Sequence, residues 1–459
     1  MLKNLISTLR GWIKSIGSRE ILKKILFTIL IIMLFRLLAT IPLPGINLDV
    51  FRQVLSDSPF NNVFTLISGG RLDKPSLVAI GVAPYINASI IIQLLTTIIP
   101  RLEDLSKQGE IGRRKLNQYT RLLTIPLAIL QSIVIYSIFT NPGATGNSTL
   151  TSVLDNVQGF DLLVFITTMT AGSIILMWLG ELITEYGIGN GASVIIAFGI
   201  MSTIPGLIIS QISGLGTDWT SFLGGDVRSL LSNNFILFYI VIGLIILMTV
   251  IIIIVSEAVR KLQVVYAKRY RGSMSADSHL PLRLNQAGVM PVIFAQALLT
   301  FPLIVSSFIL SVRQSGRLYD IAIGLQNSQI LRLNTVEHVL ALVVGVVVFT
   351  YFYTYVVVKP GEIAKNLQKS GAFLPGIRPG TETIKKISIV TARLTFFGGI
   401  FLAIIAVIPS ILSLFEPTQQ LTILSGIGGT SLLIVVSVFM DSYRKMLALK
   451  SIQNYEIYK

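Results

Sequence analysis

Apolar runs of about 20 residues recur ten times along this chain, and nothing else in it constrains the fold as tightly. A run of that length, wound as an α-helix, matches the roughly 30 Å hydrocarbon core of a bilayer. The runs fall at about 22–41, 77–99, 119–140, 160–183, 188–210, 234–257, 286–310, 336–358, 389–413 and 428–448. Lipid offers no partner to a bare peptide N–H or C=O, so such segments span as helices. The sequence therefore predicts an all-α polytopic membrane protein with ten transmembrane helices. Composition agrees: the chain is 52% hydrophobic and 13% charged, where a soluble domain carries roughly a quarter charged residues.

In a soluble protein the net charge of +15 would suggest nucleic acid as a partner. Here the spacing of the basic residues gives a different reason. Most of the 37 Lys and Arg lie in segments 1–24, 101–121, 260–283, 359–386 and 444–459, which are alternate segments between spans. By the positive-inside rule these segments, and with them both termini, face the cytoplasm. Two of them, 260–285 and 359–386, are long, basic and studded with Gly and Pro, and read as loops projecting beyond the headgroups. Topology plus attraction to anionic lipid explains them, or else they dock a large cytosolic partner. Met1–Lys24 is basic and leads into a full-length span without a small-residue cleavage site, so no removable signal peptide is read.

The second run carries Pro84, Asn87, Ser89 and Gln93, for which a helix facing only lipid has no use. Ile86, Ile90 and Gln93 share one of its faces. The stretch before it, about 60–76, holds a short apolar run broken by Ser68, Gly69, Gly70, Arg71 and Pro75, and reads as a re-entrant segment. Irregular backbone at membrane depth survives only when buried in protein or lining water. Ten spans divide into two inverted halves of five, 1–213 and 234–459, with the Gly- and Ser-rich external segment 214–233 as hinge. A weak internal likeness supports this, since Gly81 precedes Pro84 in the second run as Gly288 precedes Pro291 in the seventh. Inverted repeats put the functional path where the halves meet. Only Thr184–Gly189 separates the fourth and fifth spans, so those helices must be tight neighbours.

A search for chemistry finds little. There are no cysteines and two histidines, His279 and His338, which excludes disulfides and thiolate metal sites and leaves little for a metal cluster. Gly187-Ile188-Gly189-Asn190-Gly191 has no preceding strand and no following Lys-Ser/Thr, so it reads as a tight turn starting the fifth helix rather than a phosphate loop. Glu181, Glu185, Glu257 and Asp441 sit toward the cytoplasmic ends of spans, whereas an ion-coupled carrier needs ionisable groups at depth. A secondary transporter is favoured only by the inverted repeats and the polar face of the second span. A membrane-embedded enzyme lacks a nucleophile and base at plausible depth. No cofactor is expected.

Several stretches carry a family resemblance: Ile41-Pro42-Leu43-Pro44-Gly45-Ile46, Ser68-Gly69-Gly70, Pro84 to Leu95, Gly109 to Lys115, Trp178 to Glu185, Gly187 to Gly191, Lys369 to Gly380 and Gly428 to Val436. In these, and along essentially its whole length, the chain resembles the SecY family of protein-conducting channels. The resemblance implies a passive channel, not an enzyme, in the bacterial cell membrane. Such a channel passes unfolded secretory polypeptides and releases signal sequences and transmembrane helices sideways into lipid.

It further implies a pore ring of Ile86, Ile90, Ala192, Ile196, Ile293 and Ile434, with Ala192 smaller than the family's usual residue. A plug around Phe64, Ser68, Gly69, Gly70 and Arg71 is implied as well. So is a lateral gate, between spans two and three on one side and seven and eight on the other, bearing Gln93, Asn285 and Phe301. Arg378, Arg260, Lys268 and Arg269 are implied to dock the SecA motor or a translating ribosome. The implied partners are SecE, SecG, SecA, the ribosome, signal peptides and nascent unfolded polypeptides, with SecDF, YidC and membrane lipid beside them.

Overall fold

The computed structural model describes residues 19–43, 76–140, 159–214, 233–266, 278–312, 315–331, 335–415 and 429–456. Ten long helices lie on the ten apolar runs: α1 (Arg19–Thr40), α2 (Ala83–Ile98), α4 (Glu110–Thr140), α5 (Phe160–Tyr186), α6 (Gly191–Gly214), α7 (Asn233–Glu257), α8 (Met290–Val312), α10 (Val336–Val358), α12 (Thr381–Phe415) and α13 (Gly429–Glu456). Shorter helices are α3 (Pro100–Lys107), α9 (Arg317–Gln326) and α11 (Pro360–Lys369). Among the described residues five helices are long and apolar enough to cross a membrane unaided, or six if α2 and α3, bent apart by 102°, count as one. Lys23, Lys24 and Arg36 hold α1 below that mark, as Asp441, Arg444 and Lys445 hold α13. For α6 and α7 the described apolar stretches, Gly191–Gly206 and Ile242–Glu257, are shorter than a span.

Two helix starts fall later than the apolar runs suggest. The run at 77–99 turns helical only at Ala83, and the run at 286–310 only at Met290. The cause is the same in both. Gly81 (φ 66) and Gly288 (φ 63) adopt left-handed backbone, which ends any continuous helix. Pro84 and Pro291 then fall in the first turn, where the absent N–H has no partner to lose. The likeness between the second and seventh runs is thus a shared device for starting a helix late.

The described parts of segments 260–285 and 359–386, expected as loops, instead form one folded unit. Val259–Tyr266 (β1) pairs antiparallel with Ser278–Arg283 (β2), from Val259 opposite Arg283 to Val264 opposite Ser278. Ala372–Phe373 (β3) adds to its other side, giving the order β2-β1-β3. Val264 and Leu282 are buried while Arg260, Gln263, Pro281 and Arg283 are exposed. This is the alternation of a half-buried sheet, and Pro281 is tolerated because β2 is an edge strand. The apolar face packs with Ala364 of α11, Leu374 and Ile387 of α12. At 35 residues α12 is about 52 Å long, and it carries its first turns out to the sheet.

Three apolar cores hold the spans together. One joins Ile80, Val134, Phe165 and Met169 of the first half to Ile304 of α8. A second joins α1, α5, α6 and α13, and a third lies within the second half around Ile252, Val292, Val346 and Leu402. Within the first half, α5 and α6 approach so closely that a Cβ on Gly191 would lie 1.7 Å from the Gly180 carbonyl oxygen. The short connection does make them tight neighbours.

Candidate functional site

Where the halves meet, the ring residues come partly together. Ile196 of α6 and Ile434 of α13 are each 4% exposed and belong to one apolar cluster, with Ile86 of α2 and Ile293 of α8 packed against it. Each comes from a different helix, two per half. Ile90 is buried one turn beyond Ile86 but stands outside that cluster, and Ala192, partly exposed, lies one turn before Ile196. Ile side chains offer no hydrogen bond to anything passing, and a narrow apolar constriction dewets and blocks ions.

Above this cluster, on the side of the sheet, lies a cavity of about 290 Å³ whose lining includes Ile196, Ile293 and Ile434 together with Asn190, Asn285 and Arg444. The ring thus forms part of the wall of a polar chamber. Asn285 donates from Nδ2 to the Gly288 carbonyl (3.2 Å), while its Oδ1 and the Oε1 of Gln286 are buried without a partner. Sequence reasoning read Asn190 only as part of a tight turn and passed over Gln286. Their only signal was a polar residue at the start of an apolar run.

The expected gate residues sit at different places on their elements. Gln93 is partly buried on α2, Phe301 is 46% exposed on α8, and Asn285 lies in the chamber before α8 begins. What closes this seam is apolar packing lower on the same helices, Ile304 and Phe308 of α8 against Val134 and Ile135 of α4. The expected plug residues Phe64, Ser68, Gly69, Gly70 and Arg71 lie outside the described residues, as do Lys268 and Arg269. Arg260 and Arg378 are both exposed on the sheet unit. Arg378 sits in a turn anchored by Ile377, which packs on the sheet core, and by the Thr383 hydroxyl, which donates to its carbonyl (3.0 Å).

Beside the same chamber α13 is fastened to both halves. Arg444 donates to the Ser256 carbonyl (2.6 Å) and pairs with Glu257 (3.1 Å) at the end of α7 and with Asp441 (3.3 Å). Lys445 donates to the Gly189 carbonyl (2.8 Å) in the turn before α6. That turn is packed to its limit. The Ile188 N–H donates to Thr28 of α1 (3.1 Å), the Gly191 N–H to Thr184 (2.8 Å), and Gly189 (φ 102) has no room beside Ser442. Its reading as a tight turn stands. An apolar groove of about 370 Å³ runs here between α1, α6 and α13, lined by Ile25, Ile29, Ala197, Phe198, Phe439 and Met446.

A family model described as SecY matches residues 76–443. The chain belongs to the SecY family. Over 455 residues it is 36% identical to the protein translocase subunit SecY of Corynebacterium glutamicum, covering 97% of this chain and 98% of that one. Solved structures share the fold. One described as a protein conducting channel matches with a TM-score of 0.61 at 18% identity, over 95% of this chain and 94% of that one. Sec61 in a canine ribosome-channel complex matches with a TM-score of 0.58 at 17% identity, over 95% and 94%. The polytopic all-α architecture expected from the apolar runs is therefore the SecY-family architecture, and it gathers Ile86, Ile196, Ile293 and Ile434 at one apolar cluster from four separate helices.

Proposed function

We propose that this chain is the protein-conducting subunit of a Sec translocase, a passive channel for unfolded polypeptides with both termini in the cytoplasm. The observation that carries the reading is the apolar cluster of Ile86, Ile196, Ile293 and Ile434, contributed by both halves, at the wall of a polar chamber. A charged ring would bind some sequences and repel others. A channel for unrelated sequences needs walls indifferent to all of them, and aliphatic walls at a narrow waist also hold back ions.

The remaining roles follow the same logic. Residues 1–213 and 234–459 act as two halves about the hinge 214–233. Ile90 and Ala192 extend the ring by a turn on either side, and Phe64, Ser68, Gly69, Gly70 and Arg71 form a plug. Gln93, Asn285 and Phe301 border a lateral exit between α2 and α4 on one side and α8 and α10 on the other, through which signal sequences reach lipid. The exposed basic sheet unit with Arg260 and Arg378, together with Lys268 and Arg269, docks SecA or the ribosome, whose contact through RNA phosphates would weaken steeply with salt. These partners supply the energy. The apolar groove between α1, α6 and α13 fits a single-span SecE-like partner that clamps both halves, with SecG, SecDF and YidC as further neighbours.

Replacing Ile86, Ile196, Ile293 and Ile434 by Gly in vesicles tests the barrier. Resting ion conductance should rise at least about tenfold, since a wetted waist no longer excludes ions. Unchanged conductance would place the barrier elsewhere.

A further inference from the structure

On the side of the molecule away from the sheet, α9 links α8 to α10 and takes no part in the roles above. Its residues fall into three stripes, because positions three and four apart share a helical face. Tyr319, Ala322 and Gln326 form the first, which packs on α8. There Ala322 is fully buried, and Gln326 Nε2 donates to the Ser307 hydroxyl at 3.4 Å. Leu318, Ile321 and Leu325 form the second stripe, wholly apolar, with Ile321 57% exposed. Arg317, Asp320 and Gly324 form the third, which is exposed throughout.

The height of α9 is fixed by what it touches. Ser307 lies more than a turn before Val312, the end of α8, so Gln326 reaches back about 8 Å along that helix. It meets there the apolar stretch Met290–Leu310, which is long enough to cross a membrane. Beyond α9 the chain is tied to α10 as well: His338 Nδ1, in the first turn of α10, donates to the Ile330 carbonyl (3.0 Å), and Leu331 is buried. From that same turn Val336 and Leu340 begin a stripe with Val344 and Val348, each 58–60% exposed, the face a spanning helix turns to lipid. Ile330, exposed between α9 and that turn, lies on the path from one apolar stripe to the other.

We propose that α9 lies in the plane of the membrane surface, with the stripe of Leu318, Ile321 and Leu325 sunk among the lipid chains of the outer leaflet and the stripe of Arg317, Asp320 and Gly324 in water. Neighbouring stripes on a helix point about 100° apart. A helix with one face on protein, one apolar and one polar therefore needs lipid and water side by side, and the bilayer boundary supplies both. In hydrocarbon alone the polar stripe would be stranded, and in water alone the apolar one would be bare. The word outer rests on the orientation proposed above; the contact with lipid does not. Through Gln326 and Ile330, α8 and α10 are moored to the lipid surface beside the proposed exit.

The chain has no cysteine, so a nitroxide on a single introduced cysteine can be read in the full chain, in vesicles, by its collisions with oxygen, which concentrates in lipid, and with a nickel chelate, which stays in water. Leu318→Cys and Ile321→Cys replace exposed side chains. Their oxygen-to-nickel collision ratio should exceed that of Asp320→Cys and Gly324→Cys at least about tenfold, at a depth of about 5–10 Å into the headgroup and acyl boundary. A label at Val344→Cys, on the exposed stripe within α10, is the reference and should lie deeper still. Labels at 318 and 321 as open to nickel as those at 320 and 324 would put α9 in water. Labels at 318 and 321 closed to both reagents would put another protein, or a second copy of this chain, over it. Either result overturns the proposal. A loss of the proposed conductance barrier with these depths unchanged would overturn the channel reading and leave α9 at the lipid surface.

Discussion

The two halves of this molecule touch along two lines of opposite character. Along one, the back, α13 meets α6 and α1: Lys445 grips the Gly189 carbonyl of the other half, and Arg444 braces α13 against the end of α7 within its own half. These are charge-assisted hydrogen bonds to backbone or to carboxylate, directional and specific in length. Along the other, the front, α8 meets α4 through an apolar cluster that includes Ile304 and Phe308 with Val134 and Ile135. Contacts of that kind slide and part without stranding a polar group. The difference teaches where motion belongs: polar staples fix a pivot, and greasy surfaces in lipid can open, since an aliphatic side chain is as comfortable against lipid as against its partner.

Breaking the pivot should hurt most. Gly191→Ala places a methyl group where the Gly180 carbonyl oxygen stands, 1.7 Å away, and backbone cannot yield as a flexible side chain can. The turn held by Thr28, Thr184 and Lys445 must then shift. We expect a loss of about 3 kcal/mol, the upper range for overpacking, read as a large drop in melting temperature in detergent. Gly243→Ala on α7, with open space around it, is the control and should change stability by less than about 1 kcal/mol.

A smaller effect sharpens the same contrast. Arg444→Gln removes the donor to the Ser256 carbonyl and the partner of Glu257. Because the Arg444 side chain is only 21% exposed, the loss should be about 2 kcal/mol, the scale of hydrogen bonds involving a charged group. Melting should fall while resting conductance stays unchanged, because the aliphatic ring is untouched. A rise in conductance without a fall in melting would show that the back is no pivot.

The contrast between front and back was only half legible in the sequence. Ten spans stand out because lipid demands long apolar runs, and the turn at Gly187–Gly191 declares itself by glycines alone. The strands β1 and β2 were hidden because exposed Arg260, Lys261 and Gln263 surround Leu262 and Val264, so a run dense in charge resembled a loop. Period-two alternation at Leu262 and Val264, repeated at Leu280 and Leu282, was the signal to follow. The late starts of α2 and α8 were encoded in Gly81 and Gly288, but hydropathy does not register φ. Of the ring, Ile86 and Ile90 announced themselves beside polar neighbours. Ile196, Ile293 and Ile434 are ordinary aliphatics in ordinary spans, marked out by the family resemblance alone.

The seam itself supplies the smallest expected loss and the most telling readout. Ile304 is 9% exposed and packed with Val134, Ile135 and Phe165, so in a soluble core its truncation to Ala would cost roughly 2–5 kcal/mol. Here the price is lower. Lipid removes the solvation part of that cost, and a seam that parts can also close around a smaller side chain, so Ile304→Ala should lower stability by only about 1 kcal/mol. Its larger consequence is on position: with fewer contacts holding α8 to α4, labels on the two helices should report a wider separation in vesicles. Arg444→Gln should leave that separation unchanged. Should Ile304→Ala instead destabilise as strongly as a buried soluble-core substitution, with the helices no further apart, the front would be as rigid as the back, and the exit would have to lie along another line.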